Sequence, residues 1–139
     1  MLTTVDTSAM SIAVRRRTDG PAEVTIIRDE LERLSTLDQL ILPGVVRQEL
    51  LSGFRELSQY ERVRSGLRRF PDVPCSIDDY ERAAEFANTC QRSGVQGSRA
   101  DFLVCAIAVS SGSVILTLDG DFARFAPYIP IRLHPLSRT

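Results

Sequence analysis

The stretch Asp101–Phe122, DFLVCAIAVSSGSVILTLDGDF, decides the fold. Its first half, with Arg99 and Ala100 before it, reads as a helix from Arg99 to Ser111 whose body carries only one charge, Asp101, so that helix belongs in the interior. Its second half, Val114–Leu118, is a continuous apolar run of the kind found in a central strand covered on both faces. Asp119, Gly120 and Asp121 then make a turn into a short helix at about Phe122–Phe125. A buried helix feeding a doubly covered strand is half of a βα-type parallel sheet rather than of a sandwich.

Working outward, the rest of the chain repeats that alternation. Leu2–Val5 reads as a first strand ending at Asp6, followed by a helix from Thr7 to Arg17. Asp19, Gly20 and Pro21 mark a turn, and Ala22–Ser35 carries an apolar stripe through Val24, Ile27, Leu31 and Leu34. Leu40–Leu42 is a second strand closed by Pro43–Gly44, and Val45–Gly53 a short helix bearing Glu49. A basic helix spans about Phe54–Phe70, Val73–Cys75 is a candidate third strand, and Ser76 with Asp79 starts a helix lasting to Gly94. Val95–Ser98 reads as a loop, and Ile131–Leu133 as an edge strand. The expected class is α/β with a mostly parallel sheet.

At 139 residues the chain fits one domain, 1–139. Its 43% hydrophobic and 25% charged residues are those of a globular protein. No run approaches the roughly 18 apolar residues of a spanning helix, and the start MLTTVDTSAM lacks the features of a signal peptide, so a cytoplasmic location without membrane contact is expected. Cys75, Cys90 and Cys105 are widely spaced in apolar surroundings, as buried structural thiols are. The single histidine, His134, lies near the C-terminus, outside the acidic cluster, and reads as structural or surface. Net charge is −1, yet all 17 basic residues are arginine.

In open parallel sheets ligands bind beyond the carboxyl ends of the strands. The sequence places carboxylates there: Asp6 after strand one, Asp119 and Asp121 after the Val114–Leu118 strand, Asp101 at the start of the buried helix, and Glu49 just past strand two. Each has an ordinary alternative. Asp6 with Thr7 and Ser8 can cap a helix, Asp101 stands three residues after Ser98 in capping-box spacing, Asp119–Gly120 is a turn dipeptide, Asp121 can cap, and Glu49 can face solvent. What capping does not require is a carboxylate at every such position without a basic partner nearby in sequence. Two such charges 4 Å apart repel by about 4 kcal/mol at an effective dielectric near 20, so their convergence calls for a hard cation such as Mg²⁺. With no histidine in the cluster, the fitting chemistry is attack of a metal-activated water on a phosphodiester. Ser8 and Thr117 flank the acids and can orient water or phosphate.

The segments VDTSAMSIAVRR, LPGVVRQELLSG, RADFLVCAIA and LTLDGDFARF, in this order over nearly the whole chain, resemble the PIN-domain family, especially VapC-type toxins. The resemblance implies a three-layer α/β/α sandwich and a Mg²⁺- or Mn²⁺-dependent endoribonuclease. It further implies a homodimer, a VapB-type antitoxin and a structured RNA target such as transfer or ribosomal RNA. By that analogy Asp6, Glu49, Asp101 and Asp119 are the catalytic acids, the metal resting on Asp6, Asp101 and Asp119, with Asp121, Thr117 and Ser8 in support. Arg99, Arg15 and Arg16 are candidate RNA contacts, as is the basic Phe54–Phe70 helix, because arginine engages phosphate bidentately. Two other acidic-site folds fit less well: a receiver domain needs a lysine this chain lacks, and a haloacid-dehalogenase-like phosphatase needs a second acid where Ser8 stands. A non-catalytic PIN-like module that binds RNA or protein is the alternative of a different class.

Overall fold

A computed structural model of the chain describes residues 1–14 and 20–139. Arg15 and Arg16, the end of the first expected helix and the Asp19 turn lie outside the described residues. The elements run β1 (Thr3–Val5), α1 (Thr7–Val14), α2 (Ala22–Thr36), β2 (Leu40–Ile41), α3 (Gly44–Leu51), α4 (Leu57–Leu67), α5 (Ile77–Arg92), α6 (Arg99–Ser111), β3 (Val114–Leu116) and α7 (Asp121–Phe125).

The strands form a parallel sheet in the order β2-β1-β3, with Thr4 of β1 opposite Ile41 on one side and Ile115 on the other. Every residue of β1 and β3 is buried, which requires helices on both faces and makes the three-layer α/β/α sandwich. Two buried threonines on β1 are tolerated because each hydroxyl is bonded: Thr3 Oγ1 donates to the Met1 carbonyl, and Thr4 shares a 2.6 Å bond with Ser113. Helix α6 is the interior helix expected from its composition, burying Phe102 and Val104–Ala108. Ser76 and Ser98 both form reciprocal capping boxes, with Asp79 and Asp101, so the starts of α5 and α6 are where the spacing put them.

Three expectations need correction. Among the described residues Val73–Cys75 pairs with no strand, because Pro74 in its middle has no N–H to give to a ladder. Ile131–Leu133 makes a single parallel bridge, Leu133 opposite Ile115, and no longer strand: Pro130 and Pro135 bracket it, and the Ile131 N–H turns back to the Ile129 carbonyl. The basic helix is shorter than Phe54–Phe70. Gly53, at φ +90°, lies between α3 and α4, and α4 starts only at Leu57. Cys90 and Cys105 are buried and Cys75 half-buried, all three as free thiols. His134 is buried too, its Nε2 2.6 Å from Glu30 of α2, so its role is structural. Among the described residues no helix is long and apolar enough to cross a membrane.

Candidate functional site

Parallel pairing brings the carboxyl ends of β1 and β3 to the same edge of the sheet, and there the acidic residues meet. Asp6 follows β1 directly and is only 5% exposed. Its capping role is real, since Oδ1 accepts the Ala9 N–H at 3.0 Å. The rest of the carboxylate is engaged from the residue after β3 and from α1. Thr117 donates its hydroxyl to Oδ2 at 2.6 Å, and Ser8 donates to both oxygens at 2.8 and 2.9 Å. These two hydroxyls reach further. Thr117 Oγ1 accepts the Asp119 N–H, and Ser8 Oγ accepts the Leu118 N–H, both at 2.9 Å. Ser8 and Thr117 thus tie Asp6 to the loop that carries Asp119.

Three carboxylates gather beside this hub. One oxygen each from Asp101, Asp119 and Asp121 lie within 4.8 Å of one another, all half-buried. Asp119 is fixed by an Asx turn, its Oδ1 accepting the Asp121 N–H. Asp101 spends Oδ2 on the Ser98 N–H while its own N–H is capped by Ser98 Oγ. Capping and clustering are therefore not rivals at this residue. The approach of α6 to α7 depends on Gly97, a residue the sequence reading passed over: a Cβ there would stand 2.4 Å from the Phe125 ring. Phe102 of α6 packs on Phe125 at 4.7 Å, and Phe122 meets Phe125 edge-on at 5.5 Å, so three rings hold the helix that bears Asp101 against the one that bears Asp121.

The electrostatics are those of uncompensated charge. Burial, opposed by the bonds from Thr117, Ala9 and Ser8, raises the Asp6 carboxyl above its ordinary value, with Asp119 adding to the rise. Burial likewise raises Asp101, and the charges of Asp119 and Asp6 push the same way. Among the described residues no arginine pairs with Asp6, Asp101 or Asp119. Asp121 is different. Arg124, one turn along α7, pairs with it, so the expectation of acids without basic neighbours fails at this position. The i+3 spacing in DFAR was the signal for it.

Glu49 stands apart from the three-acid group. It is exposed on α3, on the wall of a depression of about 480 Å³ shared with Thr7, Phe54 and Arg62. Arg62 is exposed, and no carboxylate among the described residues pairs with it. Arg99 is exposed at the start of α6 and lines an apolar depression of about 470 Å³ between α5 and α6, with Tyr80 and Leu103.

A family model for the PIN domain matches residues 3–127. The chain belongs to the PIN-domain family. A comparison with curated proteins finds no match. Among solved structures, the PIN fold of this chain resembles one in the crystal structure of VapBC2 from Rickettsia felis bound to a DNA fragment from their promoter, with TM-score 0.76, 16% identity and full coverage of both chains (100%). DNA-bound VapBC from Salmonella typhimurium gives 0.73 at 17% identity, covering 96% of this chain and 98% of that one. FitAcB from Neisseria gonorrhoeae gives 0.70 at 15%, covering 96% and 97%. At such identities the likeness is one of fold. PIN nucleases typically use divalent metals, and the residues here fit one: the donors are hard carboxylate oxygens, crowded, and short of arginine partners.

Proposed function

We propose that this PIN protein is a Mg²⁺- or Mn²⁺-dependent endoribonuclease, the toxin of a toxin–antitoxin pair. The observation that carries the reading is the convergence of Asp101, Asp119 and Asp121 beside the Asp6 hub at the carboxyl edge of the sheet. Asp101 and Asp119 would hold the metal together with Asp6, and Asp121, which pairs with Arg124, would support them. A divalent cation held there supplies an activated water and stabilises charge developing on a phosphodiester. The chain's own groups do the positioning. Thr117 and Ser8 keep the Asp6 carboxylate oriented, and the capping box keeps Asp101 from turning away.

RNA phosphates would then be met by arginine. Arg62 and Glu49 share a depression with Thr7, the residue after Asp6, which supports a substrate path over α1 and α4 with Glu49 at its side. Arg99, Arg15 and Arg16 are further contacts on this reading, and transfer or ribosomal RNA the substrate class. The likeness to VapBC complexes supports a VapB-type antitoxin as partner, and the apolar α5–α6 depression supports a homodimer. The chain acts as one domain, 1–139, in the cytoplasm where its substrate is.

The test is cleavage of total cellular RNA by the purified chain, freed of any partner, with Mg²⁺ or Mn²⁺. Cleavage that stops on chelation, and in Asp101→Asn and Asp119→Asn, is the expected result. An inert wild type beside an active control nuclease would favour a binding module.

A further inference from the structure

The last residues of the chain, beyond the span of the family match, run as a strap along β3 on the side away from β1. The strap starts as a parallel partner, with the Ile115 N–H donating to the Arg132 carbonyl at 2.8 Å and the His134 N–H to the Ile115 carbonyl at 2.7 Å. It then changes manner. Ser137 Oγ donates to the Ile115 carbonyl at 2.8 Å and accepts the Thr117 N–H at 3.1 Å, while the Arg138 N–H donates to the Thr117 carbonyl at 2.8 Å. Both backbone polar groups of Thr117 are therefore held by the strap.

Thr117 is the residue that joins the two halves of the acidic site. It is fully buried, its hydroxyl donating to Asp6 and accepting from the Asp119 N–H. A shift of its backbone moves both of those bonds together. Midway along, at His134, the strap is latched to α2. The Leu136 N–H donates to His134 Nδ1 at 3.0 Å, which leaves Nε2 to donate to Glu30 at 2.6 Å, and this pair is largely buried.

We propose that Ser137 is a positioning residue for the metal site: through the backbone of Thr117 it sets where Asp6 and the Asp119 loop stand, with the His134–Glu30 latch holding the strap in place. The inference rests on the reading that these acids hold a divalent cation. The rival is that Ser137 only satisfies the end of β3 and matters for stability alone.

Mn²⁺ affinity of the metal-free chain, measured by calorimetric titration at a temperature where circular dichroism shows every variant folded, separates the two. Partners outside the ligand shell typically tune metal affinity by 10–100-fold, and Ser137 acts one bond further out, so Ser137→Ala should weaken Mn²⁺ binding by roughly 3–10-fold. Ile129→Val, a buried change upstream of the strap, should lower stability while leaving Mn²⁺ affinity as it was. Glu30→Gln, which loosens the latch by removing its charge while keeping an acceptor oxygen for His134 Nε2, should weaken binding by less than Ser137→Ala. If wild type binds Mn²⁺ and Ser137→Ala binds it equally well, the strap has no positioning role, although the site reading stands. If Ser137→Ala does not fold, Glu30→Gln decides, and unchanged affinity there overturns the proposal. A wild type that takes up no Mn²⁺ removes the site reading and this inference with it.

Discussion

Replacing Asp101 by asparagine should raise the melting temperature of the metal-free chain, against the usual direction for a half-buried helix-start residue. Asparagine keeps an oxygen for the Ser98 N–H, so the capping box survives in most of its parts. What it removes is a charge that burial and the neighbouring Asp119 and Asp6 make costly. At the 4.8 Å limit of the cluster, one such pair repels by about 3.5 kcal/mol at an effective dielectric of 20. The site is half-exposed and Arg124 offsets Asp121, so solvent screening cuts the net gain to about 1–2 kcal/mol. For a chain of this length that is roughly 3–8 °C. The pH dependence follows from the direction of the shift. Because the folded carboxyl lies above its ordinary 3.8, the folded chain binds a proton that the unfolded chain releases. The penalty in wild type is thus fully present above the folded value and disappears as pH falls toward 3.8. Thermal unfolding in EDTA at pH 7.5 and again in mild acid checks both statements. The variant should melt higher at neutral pH, the gap should close on acidification, and Mn²⁺ should narrow or reverse it. An equal or lower melting point for Asp101→Asn at neutral pH without metal would refute the crowding argument and leave capping as the residue's role.

Gly97→Ala should cost about 1–3 kcal/mol in urea unfolding, since the new methyl meets a fully buried Phe125 ring that has nowhere to swing. Alkylation of the native chain should label Cys75 first; burial raises the thiols of Cys90 and Cys105, which should react only after unfolding. Glu30 is held down at about 2, chiefly by Arg33 and then by His134. Its contribution is therefore complete above 4.5 and lost as pH falls toward 2, so the stability gap between wild type and Glu30→Gln should shrink across that range in urea titrations.

How much of this was legible beforehand depended on how local the cause was. Helix α6 and β3 could be read from DFLVCAIAVSSGSVILTLDGDF because burial on all sides leaves a continuous apolar signature in adjacent residues. The capping boxes of Ser76 and Ser98 are three-residue spacings, equally local, and both formed. Val73–Cys75 misled because hydrophobicity was given more weight than the missing donor of Pro74. Asp6, Asp101, Asp119 and Asp121 could be named from their positions after strands and at helix starts, and Glu49 in the same way from its place after β2; what the sequence did not tell is that Glu49, exposed on α3, lines a depression with Thr7 and Arg62. Nothing local announces that Thr117 joins Asp6 to Asp119, or that Ser137 holds Thr117, because those bonds span 111 and 20 positions. Gly97 had the faintest of signals, a glycine just before a cap, and its meaning lies in a ring 28 residues away in Phe125.

The claim beneath all of this is that folding assembles one cation site from separate carboxylates, and an anomalous difference map from crystals soaked in Mn²⁺ addresses it without reference to any substrate. The account predicts a peak bounded by Asp101, Asp119 and Asp121, at about 2.0–2.2 Å from carboxylate oxygens, that is lost in Asp119→Asn. No peak there, with manganese found only at scattered surface carboxylates, would contradict it.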